Sequence, residues 1–249
     1  MLEKIEGFVI KTQDYSETNK IVTLFSKKYG KLSAMARGAK KLKSRMAAVT
    51  QPFIHGEYLI YVNQKGLSTI QQGDVLNSFR MVREDILKTA FVAYISELVD
   101  KLVDPYQPHF DIYDQFFQTL KWISDDKDIE IAIMMFELKL FKKGGFAPIV
   151  DQCVRCGNQE NLVSFSIVEG GLLCNQCVSS DNQSIPLPNA GAKLLNIFLN
   201  AGIERIGTVS IKPENKKLLR KILDTYYDQY GGYHLKSKRV LEQLKRLEQ

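Results

Sequence analysis

The hydrophobic period of this chain changes once, near residue 79, and that change limits the folds open to it. Before the change, apolar and β-branched residues come in short runs: GFVI, KIVTLF, KLSAMA, YLIYV and GLSTI. Polar or Gly-containing stretches at residues 12–19, 27–30, 37–51 and 63–66 separate them, which is the pattern of strands joined by turns. Five strands in fewer than 80 residues suit a small closed barrel, of which the OB-fold is the usual five-stranded form. An SH3-like barrel or a small sandwich matches the same strand count. The long interruption RGAKKLKSRMAAVTQP falls between the third and fourth runs.

After Phe79 the period is about 3.6. In residues 84–103, Leu87, Phe91, Tyr94, Leu98 and Leu102 recur every three or four positions, as one face of a helix requires. Tyr113, Phe116, Phe117 and Leu120 repeat the pattern once Pro105 and Pro108 have broken the chain. Residues 129–141 are apolar nearly all round, which predicts a buried central helix ended by Gly144 and Gly145. Two cysteine pairs follow, then a Pro-marked linker and amphipathic runs at residues 191–201, 214–230 and 237–247. The predicted class is α+β: a five-stranded barrel over residues 1–79, then a helical domain over 80–249. A small metal module is inserted at about 150–180.

Across 249 residues there are 34 Lys+Arg and 28 Asp+Glu, a formal net charge of +6. The whole excess lies in residues 1–78, with twelve basic and six acidic residues; the rest holds 22 of each sign. Between Thr18 and Gly56 stand Lys20, Lys27, Lys28, Lys31, Arg37, Lys40, Lys41, Lys43 and Arg45, and no acid. Confinement of the excess to one segment points to a polyanion-facing module rather than to general solubility. The longest apolar stretch is cut by Glu130, Glu137 and Lys139 and is too short to span a bilayer. The first residues, MLEKIEGFVIK, carry acids where a secretion signal needs basic residues. The expectation is a soluble, cytoplasmic protein.

All four cysteines share one arrangement: Cys153 and Cys156, seventeen intervening residues, then Cys174 and Cys177. Each C-x₂-C makes a tight knuckle whose two thiolates point the same way, with Gly157 placed where such a turn wants positive φ. Two knuckles give a closed S₄ set with no open position, the structural rather than catalytic form of a zinc site. Two disulfides do not fit a chain without a secretion signal, and a redox C-x-x-C usually comes singly in a βαβ setting. Iron is the remaining occupant for the same four sulfurs. Residues 162–173 read as a hairpin that carries the second knuckle to the first. Lys142, Lys143 and Arg155 are near enough in sequence to offset the thiolate charge.

Catalytic signatures are missing. His55, His109 and His234 stand in no ligand or triad spacing, and no Gly-rich phosphate loop or nucleophile elbow occurs. Acids at Asp125, Asp126, Asp128 and Glu130 flank a helix start, where they complement its dipole. The reading is a non-enzyme.

In the basic loop, Arg37, Lys40, Lys41, Lys43 and Arg45 can track a phosphate backbone while Gly38 and Ala39 let the strand approach. With about five phosphates neutralised, log K would fall with log salt at a slope of roughly 3–4 on a single strand. Lys20, Lys27 and Lys31 of the same acid-free segment join the candidate DNA-binding set, and Tyr15, Tyr29 and Tyr61 offer faces for base stacking.

The block EGFVI-K-T-x-x-Y-x-E-x-x-K-I-V-T-L-F-S, the loop RGAKK-x-K-S-R, the Q-P-F before the next strand and the paired C-x-x-C together resemble the RecO family of bacterial DNA repair proteins. The likeness runs over essentially the whole chain. It implies an N-terminal OB-fold, a helical C-terminal domain, and zinc cysteines of the kind only some members keep. It further implies a mediator of the RecF pathway in the bacterial cytoplasm, associated with the nucleoid. Such a mediator binds single- and double-stranded DNA, anneals complementary strands, engages RecR and the single-stranded DNA-binding protein, and helps load RecA. On matching positions, the resemblance makes Arg37, Lys40, Lys41, Lys43 and Arg45 the candidate DNA contacts. The acidic, apolar tail of the single-stranded DNA-binding protein calls for an apolar groove rimmed by cations. The last helix, with Lys236, Lys238, Arg239, Lys245 and Arg246 around Val240, Leu241 and Leu244, is one place for it. The competing readings are a zinc-ribbon OB-fold RNA-binding protein, a metal-dependent nuclease and an assembly scaffold with an acidic partner.

Overall fold

The structure is a computed structural model and describes residues 1–207 and 211–247. It divides into two compact units: Met1–Ile129 with Leu235–Gln249, and Glu130–His234.

The first unit is built on a closed barrel of β1 (Leu2–Tyr15), β2 (Asn19–Ser26), β3 (Gly30–Ala36), β4 (His55–Tyr61) and β5 (Ser68–Asn77), in the order β1-β2-β3-β5-β4. All pairings are antiparallel except β3 with β5. Of the forms that the strand count left open, the closed five-stranded barrel consistent with an OB-fold is the one observed. Side chains at period two fill its interior: Val22 and Leu24, Leu32, Ala34 and Ala36, Tyr58 and Ile60 are all buried. The short helix α1 (Arg45–Val49) lies between β3 and β4; Ser44 caps it, and the Val49 carbonyl accepts the Tyr58 hydroxyl at 2.8 Å.

Two strands run further than their apolar stretches. β1 continues through Thr12–Gln13–Asp14 to Tyr15 because it serves two neighbours. Residues 2–8 pair with β4 and residues 7–15 pair with β2, the second pairing carrying a register shift between Val9 and Lys11. Its far end sits on an exposed flank, so no alternation of polarity marks it. β5 likewise extends through polar residues to Asn77 by pairing with β4.

Phe8 and Phe25 are fully buried yet lie outside the barrel's interior cluster. They form a second core with α4 (Phe110–Ser124): Phe8 lies 5.3 Å from Tyr113 and 5.0 Å from Phe116, centroid to centroid. His55 stacks on Phe8 at 4.4 Å. Its Nε2 is 3.0 Å from Glu6 Oε1 and 3.1 Å from the Tyr113 hydroxyl. A carboxylate only accepts, so Nε2 carries the proton and donates to Glu6, as does the Tyr113 hydroxyl at 3.2 Å. Burial holds the imidazole below its ordinary pKa despite Glu6. The helix α2 (Arg80–Arg83) follows the barrel, and α3 (Ile86–Leu102) receives the last helix, α8 (Lys236–Leu247). The Glu97 carboxylate of α3 accepts from the Ser237 backbone N–H at 2.8 Å and from the Ser237 hydroxyl. Lys245 stands 4.8 Å over the Phe91 ring.

In the second unit, α5 (Ile129–Lys143) is buried continuously from Ile131 to Leu138 and again at Leu140 and Phe141, as its all-round apolar sequence demands. Gly144 and Gly145 follow it, and Gly145 has φ +79. The fully buried Glu137 within that run is met by Arg220 Nη1 at 2.6 Å, from α7 (Pro213–Tyr230). Arg220 also grips Asp224 with two nitrogens, at 3.0 and 3.1 Å. Lys139 donates to the carbonyls of Phe198, Leu199 and Ala201, closing the C-terminal end of α6 (Asn189–Asn200); burial pushes its pKa down to about 8. Among the described residues no helix is long and apolar enough to cross a membrane.

Candidate metal centre and nucleic-acid interface

The cysteines converge. Their four Sγ atoms all lie within 4.8 Å of one another, and Cys156 Sγ is 3.6 Å from Cys174 Sγ. That separation is far beyond a disulfide bond and matches the edge of a tetrahedron with metal–sulfur bonds of ~2.3 Å, about 3.8 Å. The chain assembles this geometry from short-range rules. In the first knuckle, Gly157 at φ +74 lets its N–H reach the Cys153 carbonyl at 2.9 Å, while Cys153 N–H bonds Asn158 O at 2.7 Å. The second knuckle closes with Cys177 N–H on Cys174 O at 3.0 Å.

The hairpin of β6 (Leu162–Ser166) and β7 (Gly171–Cys174) joins them. Val154 N–H bonds Leu172 O at 2.8 Å, and Ile149 pairs beside Gly171, where a Cβ would come within 2.6 Å of the Ile149 carbonyl. A third short strand, β8 (Ile185–Pro186), completes that sheet.

The thiols are unequal. Burial opposes ionisation of Cys153, but backbone N–H groups of Cys174, Cys156 and Arg155 pull it down to about 6. The neighbouring Cys156 sulfur, and then burial, push Cys177 up to about 12. Cys153 ionises most readily, whereas the neighbouring sulfurs hold Cys156 and Cys177 toward the thiol form. Arg155, between the first two cysteines, is clamped on Glu169 by Nε at 2.7 and 2.8 Å. The four cysteines can hold a metal ion, and the closed S₄ set leaves no position for substrate.

The basic segment divides into two groups. At one end of the β2–β3 hairpin, the β1–β2 turn and the loop after β3 are tied together. Gly38 N–H donates to Asn19 Oδ1 at 3.0 Å, and Lys40 N–H donates to Thr18 O at 3.0 Å. Ala39 is buried in the barrel core, and the loop closes on itself through Lys41 N–H to Gly38 O and Ser44 N–H to Lys41 O. Lys20, Arg37, Lys40, Lys41, Lys43 and Arg45 belong to this end. Lys40 pairs with Asp14 at 3.0 Å; the other five have no ion pair among the described residues.

Lys27 and Lys31 lie at the opposite end of the hairpin, engaged with helices. Lys27 meets Asp114 at 3.3 Å. Lys31 is mostly covered and holds Asp100 by its carbonyl and its carboxylate. Burial opposes the Asp100 charge, yet Lys11 and Lys31 hold the carboxyl below its ordinary value.

Of the tyrosines, Tyr15 and Tyr61 are about half exposed. Tyr29 is half-buried: its ring is nearly perpendicular to that of Tyr106, Lys28 Nζ stands 5.3 Å from its centre, and its hydroxyl donates to Glu3 at 2.8 Å. In α8, Leu241 is buried and Val240 exposed. Sequence reasoning missed Asn19, whose amide ties the two turns; a lone Asn in a polar stretch gives no sign of the backbone group it will reach.

A family model described as Recombination protein O N terminal matches residues 1–79, and one described as Recombination protein O C terminal matches residues 83–239. The chain belongs to the RecO family. A relative named DNA repair protein RecO, from Oceanobacillus iheyensis, is 56% identical over 244 residues, 98% of this chain and 94% of that one. RecO proteins of Bacillus pumilus and Halalkalibacterium halodurans are 43% and 42% identical, each over 98% of this chain and 95% and 96% of theirs. The RecO assignment fits the observed architecture, an OB-fold barrel followed by helices with four adjacent cysteines.

Proposed function

We propose that this RecO-family chain is a non-enzymatic recombination mediator of the RecF pathway. In this reading it binds single- and double-stranded DNA through the basic loop and promotes annealing of complementary strands. With RecR it helps load RecA on DNA coated by the single-stranded DNA-binding protein. The observation that carries the reading is the group formed by Arg37, Lys41, Lys43 and Arg45, without ion pairs among the described residues, at a loop bonded in place against an OB-fold barrel. Cations held at fixed spacing lower the repulsion between two phosphate backbones, which is the barrier to pairing.

The bound metal is proposed to be zinc, held by Cys153, Cys156, Cys174 and Cys177. It would supply folding free energy to the module and no reactive position. Arg155 would offset part of the charge of four thiolates.

Fluorescence anisotropy on a labelled single-stranded oligonucleotide across a salt series, with the complement added at the end, tests the reading. Tight, salt-dependent binding followed by accelerated annealing supports it. Preference for RNA over DNA at equal salt would instead favour an RNA-binding protein.

A further inference from the structure

Leu42 is fully exposed, more so than any other large apolar side chain among the described residues. It stands at the tip of the basic loop, between Lys41 and Lys43, which are exposed and without ion pairs among the described residues. The tip is held by its surroundings. Ala39 is sunk in the barrel core, Gly38 and Lys40 are bonded to the β1–β2 turn, and Ser44 N–H returns to Lys41 O at 3.0 Å before capping α1. An exposed leucine on a loop fixed in this way is displayed at little further ordering cost.

A ligand for this tip must offer anionic groups to both lysines and an apolar slot for a convex aliphatic side chain. The phosphates and stacked bases of a nucleic-acid strand provide both. Backbone phosphates take the lysines, and a leucine fits between two bases that have parted, as apolar wedges do in proteins that unstack DNA. An acidic peptide carrying apolar residues would need a groove, and a projecting tip supplies none.

We propose that Leu42 is a wedge that inserts between neighbouring bases of the strand held by Lys41 and Lys43, keeping them unstacked and open to a complementary strand. This rests on the DNA-binding reading above and assigns a base contact within it.

The test uses the full chain and an oligonucleotide carrying 2-aminopurine, whose fluorescence rises when its neighbours unstack. Wild-type protein should raise that fluorescence. Leu42→Ala should abolish the rise, slow annealing by about tenfold and leave the salt slope of binding unchanged, because no charge is removed. Lys41→Ala with Lys43→Ala should flatten the slope while the rise persists at saturation. An unchanged fluorescence response and annealing rate in Leu42→Ala, with normal binding, would overturn the proposal and leave the DNA-binding reading standing. Absence of binding by the wild-type protein would overturn both. If Leu42→Ala left DNA untouched but weakened capture of an acidic, apolar peptide, the tip would be a protein contact and the wedge assignment wrong.

Discussion

The division of the basic segment makes a quantitative prediction that composition alone does not. Arg37, Lys41, Lys43 and Arg45 project from the loop without acidic partners among the described residues, whereas Lys27 and Lys31 are held by Asp114 and Asp100. Taking the first four as phosphate contacts, log K on a single strand should fall with log salt at a slope of about −2.8. Replacing Lys41 and Lys43 with Ala halves that to about −1.4. Between roughly 50 and 200 mM salt, wild-type affinity should therefore drop about 50-fold and that of the double variant about sevenfold. Both side chains are exposed, so the thermal midpoint should not move. Lys27→Ala with Lys31→Ala should keep the wild-type slope but lower the midpoint, since Asp100 loses one of the two cations that stabilise its half-buried charge. Anisotropy over a salt series and a thermal melt of each variant give all the numbers. A Lys27/Lys31 variant with the flatter slope, or a Lys41/Lys43 variant with the wild-type slope, would refute the division.

Other consequences are equally accessible. Cys156→Ser, or a strong chelator, should remove about one equivalent of metal per chain and lower the midpoint of the second unit; full stability with no bound metal would contradict a structural S₄ site. Because burial lowers the His55 pKa, its stabilising contribution is complete above the unfolded value of about 6.5 and fades as pH falls through that value toward the folded one. Denaturant unfolding from pH 8 to pH 5 should show that loss, and a His55→Gln variant should lack it. Arg220→Ala leaves the fully buried Glu137 without its cation and should cost about 3–5 kcal/mol in urea unfolding. Replacing both Glu137 and Arg220 with Met should recover part of that; no difference between single and double variants would argue against a charged pair.

Much of this fold could be read from the sequence wherever one physical rule governed a segment. The five barrel runs, the all-round apolar α5 and the spacing of the cysteines each answer to a single constraint: alternation, complete burial or ligand geometry. Gly157 was predicted to need positive φ and has it. The illegible parts are those where distant residues decide. The polar end of β1 is a strand only because β2 lies beside it. Phe8 and Phe25 look like barrel core but face α4, and the sequence does not say which side of a strand will be covered by a later helix. The eight candidate DNA contacts form one acid-free stretch in sequence. Their separation arises from Asp100 and Asp114, far along the chain, which engage Lys31 and Lys27.

The Glu97 cap on α8 joins positions 140 residues apart, and all of the second unit is encoded between them. At a synthesis rate of roughly 5–20 residues per second, the ribosome takes about 5–20 s to make that unit before the last helix emerges. Through that interval the barrel and α3 have already been synthesised, while the face of α3 that receives α8 has no helix to cover it. Nonsense or frameshift lesions anywhere in the second unit therefore strip α3 of α8 as well, damaging a part of the molecule that they never touch in sequence.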